Sequence, residues 1–124
     1  YRPSSDLHLM DLQTGRYERL ECNSDAPEAW HSWSSNSRWI VFTSKRGDGL
    51  YGRPYLSYID AEGKSHKPFI LPQKDPAFYD SFLEHFNLPE LITGPVPVTK
   101  RELLDAVVSP AEVVRTVRGH QALK

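Results

Sequence analysis

The sequence predicts a mainly β chain with a helical C-terminal tail. Three observations carry the prediction. First, Leu7-His8-Leu9-Met10-Asp11 with Gly15-Arg16 returns as Leu56-Ser57-Tyr58-Ile59-Asp60 with Gly63-Lys64, so the two aspartates stand 49 positions apart (60 − 11). Second, short apolar runs between the copies are separated by Gly, Asn, Asp and Ser, the punctuation of strands and turns. Third, the spacing of apolar residues becomes helical after Leu71.

The elements follow in order. Asp6 to Asp11 alternates Leu7 and Leu9 with His8 and reads as a strand. Gln13-Thr14-Gly15 turns, and Arg16 to Leu20 returns. Glu21 to Glu28, with Asn23, Asp25 and Pro27, is a loop. Ala29 to Ser34 is a short aromatic strand, and Ser35-Asn36-Ser37 supplies a turn whose side chains bond their own backbone. Arg38 to Ser44 is the strongest strand, built on Ile40, Val41 and Phe42. Gly47, Gly49 and Gly52 mark a wide loop. Arg53 to Asp60 is the next strand, Ala61-Glu62-Gly63 turns, and His66 to Leu71 closes the set.

Beyond Leu71, Asp75 and Pro76 suit a helix start. Phe78, Tyr79, Phe82, Leu83 and Phe86 recur as one helical stripe, ended by Asn87 and Pro89. Gly94 to Pro97 is a linker. Thr99 with Glu102 forms one capping box and Ser109-Pro110 with Glu112 another. Leu103, Leu104, Val107 and Val108 belong to the first of these helices, and Val113, Val114 and Val117 to the second. The chain from Gly119 on is expected to fray.

A repeat of this length made of short strands points to blades of a β-propeller. The expected plan is about one and a half four-stranded antiparallel blades. Strands of one blade lie at 6–20, within a partial propeller over 1–71, and a full blade at 29–71. A helical extension, 72–124, is expected to pack on the last blade and cover an exposed strand edge. Several blades are needed to close a ring, so the chain reads as a piece of a larger protein.

Trp33-Ser34 followed by Ile40-Val41-Phe42-Thr43-Ser44 and Arg46 resembles the blade motif of TolB-like propellers, also described as WD40-like PD40 repeats. Ser35-Asn36-Ser37 stands where that motif has Pro-Asp-Gly. Leu56 to Gly63 and Leu7 to Gly15 resemble the strand and turn that follow. The resemblance covers about residues 6–71. The tail is similar to extensions after the last blade of some TolB-like proteins of Gram-negative bacteria. The resemblance implies a periplasmic or cell-envelope location and a protein partner in the envelope. It also assigns structural roles: Trp33 packs between blades, Ser34 bonds the turn, and Asp11 and Asp60 accept from turn amides.

Composition narrows the function classes. The 124 residues suffice for one core, and 39% apolar with 25% charged residues is globular composition. Residues 1–98 hold 10 Lys/Arg against 13 Asp/Glu, and residues 99–124 hold 5 against 3, so neither part has the basic surplus of a nucleic-acid binder. No apolar run reaches the ~18 residues of a membrane span. Cys22 is the one cysteine and reads as a small buried hydrophobe. No nucleophile elbow, phosphate loop or metal-ligand spacing of histidines occurs. The sequence therefore nominates no enzyme activity, no cofactor and no metal.

Candidate binding residues lie on one end of the full blade. The entry to its first strand contributes Trp30 and His31. The loop joining its second and third strands contributes Arg46, Asp48, Tyr51, Arg53 and Tyr55. Aromatics and arginines on rigidly held loops suit recognition. In the plain structural alternative Trp30 and Tyr55 pack, Arg46 pairs with Asp48, and His31 is merely polar. Three functions are weighed: a non-enzymatic protein-binding or scaffold module; a small-molecule or glycan-binding propeller stacking sugars on Trp30, Tyr51 and Tyr55; and an accessory propeller of a hydrolase. Unsatisfied blade edges would also let the chain self-associate.

Overall fold

The computed structural model describes residues 5–109. They fall in two compact units, one within Tyr1–Thr93 and one within Gly94–Lys124. In the first unit, β1 (His8–Met10) and β2 (Tyr17–Arg19) form an antiparallel hairpin. β3 (Glu28–Trp33), β4 (Trp39–Ser44), β5 (Arg53–Tyr58) and β6 (Phe69–Ile70) form a four-stranded antiparallel sheet in chain order. α1 (Phe78–Ser81) follows, and the second unit carries α2 (Lys100–Val108). The mainly β architecture thus agrees with the sequence expectation: antiparallel sheets of two and four strands, and two short helices.

The two copies of the repeated segment fold into corresponding Asp–Gly turns, the first one residue longer than the second. Asp11 Oδ1 accepts from the Gln13 and Thr14 amides at 2.8 and 3.2 Å, and Asp60 Oδ1 accepts from the Glu62 and Lys64 amides at 3.2 and 2.8 Å. Gly15 and Gly63 both sit at positive φ, 71° and 85°, where a side chain would be strained. Between β3 and β4, Asn36 Oδ1 accepts from the Arg38 amide and from Ser34 Oγ, while Ser34 Oγ accepts from the Trp39 amide. Ser37 there holds φ 55°, a conformation that suits glycine better.

The core lies between the hairpin and the front face of the sheet. Leu7, Leu20 and Cys22 from the hairpin side meet Ile40, Phe42 and Ile59 of the sheet, with Leu9 and Tyr55 packed against them. Ile40 and Phe42 are two apart on β4 and share that face, as the alternation requires. Asn23 closes the hairpin's entrance. Its Oδ1 accepts from the Leu7 amide at 2.7 Å, and its Nδ2 donates to the Leu7 and Leu20 carbonyls at 2.8 Å each.

The back face of the sheet carries Ser32, Val41, Thr43 and Leu56, which share a side through their register. The chain after α1 crosses this face. Thr43 Oγ1 donates to the Phe86 carbonyl, and Ser32 Oγ donates to the Pro89 carbonyl at 3.0 Å. Leu91 and Ile92 lie with Trp39, Leu56 and Phe69 around an apolar groove. Gly52 bonds this crossing segment through both backbone groups, its amide to His85 Nδ1 at 2.9 Å and its carbonyl to the Phe86 amide at 3.0 Å. A Cβ on Gly52 would overlap Thr43 Cγ2, so only glycine fits.

The expected helix over Phe78 to Phe86 is a single turn. Phe82 turns extended at φ −89°, ψ 103°. Tertiary bonds hold the extended course: Arg53 Nη2 donates to the Tyr79 carbonyl at 2.9 Å and Nη1 to the Glu84 carbonyl at 3.0 Å. The Tyr79 carbonyl is the acceptor that the next helical turn would use. Phe78, Phe82 and Phe86 still stack in succession, with centroids 5.0 Å apart at each step, while Leu83 is 68% exposed and leaves the stripe. Asp75 makes a local turn with the Ala77 amide, and Ala77 holds the N-cap position without a capping side chain.

In the second unit the expected capping box is present on α2. Thr99 accepts from the Glu102 amide, and the Glu102 carboxylate accepts from the Thr99 amide. The second box at Pro110 and Glu112, the helix through Val113, Val114 and Val117, and the end from Gly119 lie outside the described residues.

Candidate functional site

The two loop regions nominated by sequence lie at one end of the sheet. Glu28 pairs with Ser44 across the β3–β4 ladder, and the Lys45 amide donates to the Pro27 carbonyl at 3.2 Å. Within this end the charged residues divide into two structural clamps.

The first clamp is built on Glu28, which is fully buried. Its Oε1 accepts from Arg46 Nη2 at 3.0 Å, Ser44 Oγ at 2.8 Å and Ser24 Oγ at 2.6 Å. Arg46 also donates to the Cys22 carbonyl at 2.7 Å and lies over the Tyr55 ring at 4.7 Å. Arg46 therefore pairs with Glu28, not Asp48, and ties the hairpin's exit to the sheet. Burial pushes the Cys22 thiol up, against the lowering effect of bonds with Ser65 and Ser57. Burial likewise raises Tyr55, with Arg46 acting in the opposite sense.

The second clamp is built on Arg53, which is 4% exposed. Besides its two carbonyl bonds it lies 3.7 Å from Asp48 Oδ2 and over the ring of Tyr51 at 5.1 Å. Asp48 folds its own loop by accepting from the Leu50 and Tyr51 amides, both at 2.8 Å. Those two amides, then Arg53, hold its carboxyl below the usual range against a burial effect. The Tyr51 ring also rests on His85, with centroids 5.5 Å apart.

Trp30 and His31 remain outside the clamps. Trp30 is 43% exposed and stands at φ 51°. The β3–β4 register shifts between Ala29 and Ser32, so Trp30 and His31 form a bulge on an edge strand. A bulge re-aims side chains, and the left-handed conformation costs a bulky residue about 1–2 kcal/mol. The surface beside Trp30 is formed by Lys45, His85 and Asn87. His31 is exposed.

Of the seven sequence candidates, Arg46, Asp48, Arg53, Tyr51 and Tyr55 are engaged by the fold, and Trp30 and His31 face outward. Glu28, His85 and Asn87 were not anticipated. A carboxylate at the first position of a strand that begins opposite Ser44, two residues before Arg46, is the available signal for Glu28. Nothing in the sequence brings His85 or Asn87 to Trp30, because that depends on the crossing segment. Among the described residues no group of three His, Cys, Asp or Glu could hold a metal ion, and no helix is long and apolar enough to cross a membrane. What the fold leaves outward at this end is the aromatic face of Trp30 and the His31 ring. No protein-family model, curated protein or solved structure matches the chain.

Proposed function

We propose that the chain is a non-enzymatic protein-binding module, the C-terminal part of a periplasmic TolB-like β-propeller. The repeated Asp–Gly turns support the repeat reading, as does a four-stranded meander whose Ile40/Phe42 face receives a hairpin. Stacking of successive antiparallel sheets is how propellers bury their strands. The observation that carries recognition is Trp30, exposed on a strained bulge at the edge of the sheet. Strain of this kind clusters at functional sites, and tryptophan is among the residues enriched in binding hot spots. The glycan reading is weaker, since Arg46 and Phe42 lie against Tyr55 while Arg53 and His85 lie against Tyr51. That leaves one free ring rather than a stacking platform.

Two variants test the proposal. Trp30→Ala and Trp30→Gly both remove the ring, and Gly suits the backbone better by about 1 kcal/mol. In a pull-down from the envelope fraction of the organism that makes the chain, a protein held by the wild type should be lost with both variants. Trp30→Gly should meanwhile melt at a higher temperature than Trp30→Ala. Capture that survives both substitutions, or no capture by the wild type, overturns the proposal.

A further inference from the structure

The repeat relates the back face of the four-stranded sheet to a face whose packing is visible in the same molecule. The Leu20 amide donates to the Leu7 carbonyl across the hairpin, and Phe69 pairs with Leu56 across the β5–β6 ladder. Both members of the pair move by 49 positions (56 − 7 and 69 − 20), and the same step takes Cys22 to Leu71. The environments differ sharply. Leu7, Leu20 and Cys22 are buried against Ile40 and Phe42 of the front face. Leu20 and Cys22 are 4% and 0% exposed, whereas Phe69 and Leu71 are 45% and 39% exposed. Aromatic rings extend the exposed patch: Tyr58 stands opposite Trp39 in the ladder with centroids 5.3 Å apart, and Phe69 lies 6.1 Å from Trp39. The crossing segment is bonded to the sheet at Gly52, Thr43 and Ser32. Past Pro89 it opens into a groove of about 400 Å³ lined by Trp39, Leu56, Phe69, Leu91 and Ile92. A contiguous apolar surface of this kind marks an interaction site.

We propose that Leu56, Phe69 and Leu71 are a docking surface for the front face of a further sheet of the same repeat, one that presents its own counterparts of Ile40 and Phe42. The molecule supplies the precedent. Leu7, Leu20 and Cys22 occupy the same repeat positions, and what covers them is an Ile40/Phe42 face. A repeat that cannot bury its apolar face alone does so by stacking on a neighbour. Leu91 and Ile92 form the remaining wall of the groove, so the incoming sheet meets them as well. A second copy of this chain does not suit the surface, because its Ile40 and Phe42 are already buried beneath its own hairpin. The inference rests on the repeat reading within the proposed function and not on Trp30.

Two probes present such a face. The first is a cyclised peptide of residues 28–44 with Trp30→Gly, which carries Ile40 and Phe42 without the Trp30 ring. The second is the full chain with Leu20→Asp and Phe69→Asp, which lifts the hairpin from its own front face and blocks its own back face. Either probe, added to the unaltered chain, should shift the methyl resonances of Leu56 and Leu71 and leave those of Leu7 and Leu20 in place. Phe69→Asp in the receiving chain should weaken binding about tenfold or more, because a carboxylate would be buried where a ring belongs. Phe69 is exposed, so that variant should stay folded. A receiving chain with Trp30→Gly should bind both probes unchanged, so this contact and recognition through Trp30 fail separately. Absence of shifts with both probes overturns the proposal, as does binding that survives Phe69→Asp. Shifts of the same methyl groups in the unaltered chain alone, growing with its concentration, would place a second copy on the surface and overturn it too.

Discussion

The two faces of the four-stranded sheet are covered by different means. The front face is sealed by apolar side chains of the hairpin and by the buried Glu28–Arg46 pair. The back face is crossed by an extended segment whose own carbonyls accept from Ser32 and Thr43, and Arg53, at the end of the ladder opposite Ser44, gathers the carbonyls of Tyr79 and Glu84 where that segment begins. The front is held by shape and a charge pair, the back by backbone bonding to a few polar side chains. Side-chain burial is cooperative with the core, whereas a bonded strap opens locally. The front should therefore govern global stability, and the back should open first.

The largest effect should come from the front. Glu28→Ala leaves the Arg46 guanidinium without its carboxylate and removes the acceptor for Ser24 and Ser44. Breaking a buried pair from one side costs about 3–5 kcal/mol, and the 18% exposure of the Arg46 side chain places this pair near the lower end. Chemical denaturation should show a loss of that size with no surviving hairpin packing. A loss under about 1 kcal/mol, the size of an exposed pair, would place this clamp with ordinary surface pairs and erase the contrast.

Arg53→Ala is the matching test of the segment that covers the back, because Arg53 anchors its start. It leaves two carbonyls without their donor, at about 1–3 kcal/mol each for groups cut off from water. Water reaches this side more easily once the strap lifts, so the global loss should fall near the lower end. The specific readout is amide exchange. The Phe86 amide, bonded to the Gly52 carbonyl, should exchange faster, while the β4 amides keep their protection. Equal loosening of both would mean that the sheet has one cooperative cover rather than two.

Much of the front was legible in the sequence. Alternation placed Ile40 and Phe42 on one side, and the repeat placed Asp11 and Asp60 at corresponding turns, because strand period and Asx chemistry are local. The clamps were not legible. Arg46 finds a partner 18 positions away, and Arg53 takes a carbonyl 26 positions away. The stripe from Phe78 to Phe86 reads as helix because its spacing is helical, whereas the bonds that hold its extended course are tertiary. The bulge at Trp30 is equally silent, since no glycine marks it.

The two repeat turns give a smaller effect that depends on pH. Bonds from the Gln13 amide, then the Thr14 amide, hold Asp11 below the ordinary value of 3.8. Asp60 is also lowered: burial opposes this, but the Lys64 amide and His66 outweigh it. The unfolded chain therefore binds protons at higher pH than the folded one. The stability these groups contribute is present above 3.8 and is lost as pH falls through their folded values. Melting temperature should decline between about pH 5 and pH 2, and Asp11→Asn or Asp60→Asn should flatten the decline. An unchanged slope in both variants would show that the turns do not report on folding.

The smallest effect separates local backbone strain from either cover. Ser37 occupies φ 55° in the β3–β4 turn, whose other bonds come from Ser34 and Asn36. None of those bonds uses the Ser37 side chain, and its backbone donates to the Ser34 carbonyl at 2.9 Å. Ser37→Gly keeps every bond of the turn and removes the Cβ penalty of about 1–2 kcal/mol, offset by the greater freedom of glycine in the unfolded chain, about 0.5–1 kcal/mol. The net gain should be about 0.5–1 kcal/mol, seen as a higher denaturation midpoint with an unchanged slope. Exchange at Phe86 should not move, because the one bond of Ser37 stays within the turn. A loss of stability would mean that the serine hydroxyl contributes to the turn in a way its geometry does not reveal.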